Sequence, residues 1–295
     1  MVSVIIPNYN HEQYLDERIH SVLKQTFQDF EIIILDDCST DNSRNVIEKY
    51  RKNSHVTHIV YSELNSGSTF KQWEKGIEMA KGDLIWIAES DDSCDEQLLG
   101  NLVSKFSDED LVLAFSRSLH IDEDGKEIGI CPFQAHMNCD FVLDGKMFIK
   151  KHLSFRNLVV NASSALIKKS AMNGVCEDYK SFKGCGDWLL WIYLSERGKV
   201  AYLSEPHNFF RQHHSNTTLK LVKNGVGLLE MNKIFLYLKK QGYMNLWRQL
   251  HFRISRCANY KFNKQYAEVK DKLLKEWNPS FCENLLIYLY KFIKM

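Results

Sequence analysis

The chain has 295 residues, 44% hydrophobic and 25% charged, with a net charge of +1, which is the make-up of a globular protein and not of a disordered one. It has no run of about 18 apolar residues, so no candidate spanning helix can be read from it. Its eight cysteines form no Cys-x-x-Cys pair, which argues against a zinc ribbon or a redox dithiol and fits a reduced, cytosolic setting.

Val2 to Ile6 reads as a short buried strand and reaches Pro7-Asn8 at once, too short and too uncharged for a secretory signal. Leu15, Ile19, Val22 and Leu23 then fall on one helical face. Glu31 to Asp37 is a second strand, β-branched and ending in acids, and Ser39, Thr40 or Asp41 can cap a helix running to about Lys52. Val56 to Tyr61 is a third strand, and a helix from about Thr69 to Ala80 stops at Lys81-Gly82. A fourth strand then runs directly into Glu89-Ser90-Asp91-Asp92. Strands alternating with helices imply a parallel sheet with right-handed crossovers, and such sheets bind ligands beyond the carboxyl ends of their strands, where these acids fall. Clustered carboxylates suit a hard divalent cation that bridges phosphates; the same residues also suit a solvated acidic turn. Neither Gly-x-Gly-x-x-Gly nor the Gly-x-x-x-x-Gly-Lys-Ser/Thr loop is present, so a phosphate would have to be held in another way, which a metal ion would provide.

The middle of the chain is less regular. Phe115-Ser116, Val159 to Lys168 and Val200 to Leu203 look like strands, and Asp187 to Glu196 like a helix. Beyond Gly225, Leu228, Met231 or Asn232, Phe235 and Leu238 make one apolar helical stripe. Residues 238–295 hold twelve Lys and Arg against four acids, leaving a balance of −7 for the preceding part, and this asymmetry sets a boundary near Gly225 to Gly242.

Four fragments in order resemble the inverting family 2 glycosyltransferases: Val4-Ile5-Ile6-Pro7-Asn8-Tyr9-Asn10, Leu35-Asp36-Asp37-Cys38-Ser39-Thr40-Asp41, Asn65-Ser66-Gly67, and the acid cluster in the place of that family's metal-binding Asp-x-Asp motif. The resemblance is strong over residues 1–93 and looser to about 216. It implies an α/β fold of the GT-A type, a Rossmann-like, mostly parallel sheet flanked by helices. Residues 1–224 would form the catalytic domain, 1–93 its nucleotide half and 94–224 its acceptor half, and residues 225–295 a basic helical extension.

Carried onto this chain, the resemblance places Pro7, Tyr9, Asn10, Asp37, Asn65, Lys71 and Asp91 around the nucleotide. Asp37 would accept a hydrogen bond from the base, and Lys71 would serve the diphosphate. Tyr9 has an alternative as a core aromatic, and strand alternation keeps Asp36 and Asp37 from both reaching a ligand. Asp92 would be the direct ligand of Mn²⁺ or Mg²⁺, helped by Asp91 and by His213, with His214 next in line. Glu89 stands where aspartate is frequent, and its longer side chain suits pairing with a basic residue equally well. Gly184-Cys185-Gly186-Asp187-Trp188 resembles the segment that carries the general base, which makes Asp187 the catalytic candidate; its alternative is an N-cap.

The implied function is metal-assisted, inverting transfer of a sugar from a UDP-sugar or another nucleotide-sugar to a saccharide or lipid-linked hydroxyl, in cell-surface polysaccharide assembly. A sugar nucleotidyltransferase and a non-catalytic nucleotide-sugar-binding protein are the alternatives. For the basic carboxy-terminal helices two readings stay open: lying on an anionic membrane, at the inner face of the cell membrane, or packing on the core or on a second copy. No recognised nucleic-acid module accompanies the charge.

Overall fold

The computed structural model describes residues 1–213, 225–266 and 269–293. Its strands are β1 (Val2–Asn8), β2 (Phe30–Asp36), β3 (Val56–Tyr61), β4 (Leu84–Ile87), β5 (Ser93–Cys94), β6 (Leu111–Ile121), β7 (Glu127–Ile130), β8 (Phe141–Asp144), β9 (Ala165–Lys168) and β10 (Lys199–Arg211). They form one sheet in the order β3-β2-β1-β4-β9-β6-β10-β5, with β7 beside β6 and β8 beside β10. The parallel arrangement expected from the alternating pattern holds for β3-β2-β1-β4. Beyond it β9 enters antiparallel to both β4 and β6, and the sheet becomes mixed.

The period of two along β1 explains its two-sided burial. Val2, Val4 and Ile6 pack in one apolar cluster with Leu15, Ile19 and Val22 of helix α1 (Glu12–Leu23). Ile5 packs in the other, with Phe70 and Trp73 of α3 (Thr69–Met79), the helix after α2 (Ser43–Glu48). The α2 helix ends four residues before the expected Lys52, because the chain turns through Lys49 to Asn53 to enter β3.

In the second half come α4 (Leu98–Lys105), the short α5 (Gly145–Phe148) and α6 (Gly186–Ser195). The strand expected over Val159 to Lys168 is confined to β9, preceded by a 3-10 turn at Ala162–Ser164. The strand expected over Val200 to Leu203 is instead the thirteen-residue β10.

After residue 225 follow α7 (Val226–Lys240), α8 (Leu246–Phe262), α9 (Lys270–Trp277) and α10 (Phe281–Ile293). The charge balance changes here, but the packing is unbroken: the cluster that holds Ile5 and Trp191 also holds Phe235, Phe252, Trp277 and Ile287. These helices therefore pack on the core. Leu246, Trp247, Phe281, Leu285 and Leu289 nevertheless stay exposed. Among the described residues, no helix is long and apolar enough to cross a membrane.

Candidate active site

The carboxyl ends of β1, β2 and β4 gather the first group of expected residues. Pro7 is buried at the end of β1, and Tyr9 is exposed, so it is not a core aromatic. Asn10 adopts φ +56°, a left-handed conformation that asparagine tolerates better than most residues, and its Oδ1 accepts from the Thr40 and Asp41 amides. Asp36 and Asp37 diverge as strand alternation requires. Asp36 accepts from Asn8 Nδ2 at 2.9 Å and the Ser39 amide at 3.1 Å, while Asp37 accepts from the Ser66 amide and hydroxyl and from Gln72 Nε2 at 2.6 Å. Asp37 thus fixes the Asn65–Ser66–Gly67 loop, in which Asn65 Nδ2 donates to the Asp37 carbonyl and Gly67 takes φ +63°. Lys71 lies exposed on the first turn of α3.

The acid cluster divides into three different environments. Asp92 is buried and its oxygens are occupied: Oδ2 by Asn161 Nδ2 at 2.8 Å and Ser163 Oγ at 2.6 Å, Oδ1 by the Arg211 amide at 3.0 Å, with the Arg18 guanidinium 3.9 Å away. Burial pushes its carboxyl up to about 6. These three donors disfavour the direct-ligand role expected of Asp92; the carboxylate turned toward imidazoles is Asp91, 2.9 Å from His213 Nε2. His11, Asp91 and His213 place one potential ligand atom each within 4.8 Å of one another. Burial raises the Asp91 carboxyl, but the His213 hydrogen bond and the nearby imidazoles outweigh it and hold the group below its ordinary value. Among the described residues the Glu89 carboxylate forms no ion pair; it accepts from Trp73 Nε1 at 2.8 Å, and burial pushes it up to about 8.

The long β10 brings this cluster together. Its antiparallel register against β5 pairs Phe209 with Ser93, so continuation of the strand carries Arg211 and His213 alongside Asp91 and Asp92. The Arg211 guanidinium is enclosed, donating to the carbonyls of Asp91, Asp122 and Glu123 and to Glu17 at 2.6 Å. His214 lies outside the described residues.

Asp187 sits in the first turn of α6, where Oδ2 accepts from Asn157 Nδ2 at 2.7 Å. A helix N-terminus favours a carboxylate, yet burial wins and pushes Asp187 up to about 7. The glycine before it is required by contact: a Cβ on Gly186 would lie 2.5 Å from the Tyr179 carbonyl and 2.6 Å from the Phe70 ring. Since Glu89 touches Thr69 and Trp73 while Gly186 abuts Phe70, the acid cluster and the Asp187 turn rest on the same first turn of α3.

Three residues escaped sequence reasoning. His11 carries no spacing signal, following Asn10 just ahead of α1. Asn157 lies in an irregular stretch. Glu230, buried on α7, accepts from the backbone amides of Lys183, Gly184 and Cys185, so the carboxy-terminal helices hold the loop that presents Asp187.

Comparison with known proteins bears on the family and the fold. The family described as Glycosyl transferase family 2 matches residues 3–170. A putative teichuronic acid biosynthesis glycosyltransferase, TuaG of Bacillus subtilis, is 26% identical over 202 residues, 68% of this chain and 75% of its own. The poly(ribitol-phosphate) β-N-acetylglucosaminyltransferase TarS of Staphylococcus aureus is 36% identical over 99 residues, 33% of this chain but 17% of its own. Among solved structures, TarS 1–349 in complex with UDP-GlcNAc superposes with a TM-score of 0.59 at 18% identity, covering 94% of this chain and 71% of that one. A mannosyltransferase of Pyrobaculum calidifontis in complex with GDP-Man and Mn²⁺ gives 0.58 at 12% identity, covering 99% and 79%. At these identities the superpositions establish the shared fold.

Proposed function

Because the chain belongs to glycosyl transferase family 2, we propose that it moves a sugar from a nucleoside diphosphate donor, a UDP-sugar foremost, to a hydroxyl of a saccharide or lipid-linked acceptor, inverting the anomeric centre. The observation that carries this reading is Asp187. It is a carboxyl that burial pushes up to about 7, on an α6 turn that rests, like the acid cluster, on the first turn of α3, so near neutral pH it can be ionised to accept a proton and basic enough to keep it. Asn157 holds its orientation, and Glu230 holds its loop.

At the other end, Asp91, His213 and His11 offer a carboxylate and two imidazoles, a donor set that suits Mn²⁺ better than the all-oxygen preference of Mg²⁺. A bound divalent ion would offset charge developing on the departing diphosphate. Asp92 would act as a positioning residue, tying β10 to the acid turn through Arg211, while exposed Lys71 would remain for the diphosphate. Pro7, Tyr9, Asn10, Asp37 and Asn65 would frame the nucleoside. Attack by the acceptor from the face opposite the leaving group needs no covalent intermediate.

The named relatives support a role in cell-surface polysaccharide assembly. The exposed Leu246, Trp247, Phe281, Leu285 and Leu289 beside a basic surplus support contact with an anionic membrane face; the competing occupant, a second copy of the chain, is separated from it by vesicle co-sedimentation and size-exclusion chromatography.

The decisive experiment is Asp187→Asn with labelled nucleotide-sugars. Transfer should fall about 10²–10⁴-fold with nucleotide affinity retained; transfer at the wild-type rate overturns the base assignment. Product analysis separates the alternatives, since a nucleotidyltransferase releases pyrophosphate and a binding protein releases nothing.

A further inference from the structure

An open cleft of about 650 Å³ lies between helices α8 and α10 and the Phe155–Arg156 segment, which immediately precedes Asn157, the hydrogen-bond partner of Asp187. Its walls combine rings and cations: Phe133, Phe155 and Tyr290 with Arg156, His251 and Arg256, and among the described residues no aspartate or glutamate lines it. Arg156 lies over the Phe133 ring at 5.3 Å and Arg256 over the Phe252 ring at 5.2 Å, and among the described residues neither forms an ion pair. Two unpaired guanidiniums on aromatic platforms are a recognition device: the rings accept the apolar face of a sugar, and the planar forks bind carboxylate or phosphate in bidentate fashion.

Two tethers connect the cleft to the candidate base. Arg156 precedes Asn157, whose Nδ2 is 2.7 Å from Asp187 and whose buried Oδ1 has no hydrogen-bond partner among the described residues. Arg256 lies close enough to Cys185, two residues before Asp187, to act electrostatically on its thiol. Next to the candidate base, Asn157 thus keeps an unused acceptor position one residue from the cleft wall.

We propose that this cleft is the acceptor subsite and that it selects an anionic saccharide, one bearing carboxylate or phosphate on the unit that follows the attacking hydroxyl. The inference rests on the glycosyltransferase reading for the word acceptor, but binding at the cleft can be measured without turnover. Calorimetric or NMR titration of the full chain would use three probes: a hexuronic acid trisaccharide, a ribitol phosphate oligomer, and maltotriose as the neutral control. Acidic probes should bind about tenfold or more tightly than maltotriose, with affinity falling as salt rises. Preference between the first two identifies carboxylate or phosphate as the group read.

The exposed Arg156→Glu should reduce acidic-probe affinity about tenfold or more while leaving the thermal midpoint unchanged. Arg256→Gln, at a half-buried position, is a second, independent arm. Equal binding of all three probes, or Arg156→Glu and Arg256→Gln both binding acidic probes as wild type does, overturns the proposal. Arginine-dependent binding without sugar transfer from any donor would sustain the cleft's anion selectivity and sink the glycosyltransferase reading instead.

Discussion

The Asp91 turn and the Asp187 turn use the same side chain in opposite surroundings. Asp91 meets two imidazoles, which hold its carboxyl below the ordinary range against the cost of burial. Asp187 meets the side-chain amide of Asn157, and burial at the start of α6 outweighs that hydrogen bond and raises it to about 7. Environments that drive two carboxyls apart in this way divide the labour of a site, one group staying charged as a ligand and the other able to exchange a proton near neutrality.

That contrast can be broken from either side. Its strongest test is Asp91→Asn: with the carboxylate gone and two imidazoles left, Mn²⁺ affinity measured by calorimetry should fall about 10–100-fold or more, whereas Asp187→Asn should leave it unchanged. Glu230→Ala comes next. Three backbone amides lose their acceptor, so the loop presenting Asp187 should loosen at a cost of about 1–3 kcal/mol, seen as a midpoint lower by several degrees and a fall in kcat larger than any change in donor KM. An unchanged melting curve would show that the carboxy-terminal helices do not brace the site.

A pH series sharpens the Asp187 side. Transfer needs the ionised base, so kcat/KM should rise with pH through about 7; Asn157→Ala, which removes a hydrogen bond that favours the charged form, should move this limb to higher pH and slow transfer a few-fold at pH 7. The smallest effect is on stability. The folded-state value lies above the unfolded one, so the protonated group's contribution is complete below pH 3.8 and is lost as pH rises through about 7. Asp187→Asn should therefore gain on wild type between pH 6 and 8 by about 2 °C or more in thermal midpoint; equal midpoints throughout would place Asp187 in a solvated setting.

Much of the first ninety residues was legible because each strand there is local in its signal: β1, β3 and the start of α3 fall where apolar period and caps put them, and the acids sit at a strand's carboxyl end. The choice between Asp91 and Asp92 was not legible. Both follow β4, and what separates them is a partner over a hundred residues away, the end of β10, which gives Asp92 the Arg211 amide and Asp91 the His213 ring. Period and propensity carry no information about which distant strand arrives alongside.

The same limit applies to the carboxy-terminal helices, whose charge suggested a separate region while Glu230 and Phe235 bind it to the catalytic core. Sequence alone determined the family, the parallel first part of the sheet and the residue types available for the chemistry, since these are written in contiguous segments. Which carboxyl faces the histidines, which is pushed up toward neutrality, and which helix braces the Asp187 loop were decided by tertiary structure, because burial and hydrogen-bond partners come from contacts between segments that neither propensity nor spacing can pair.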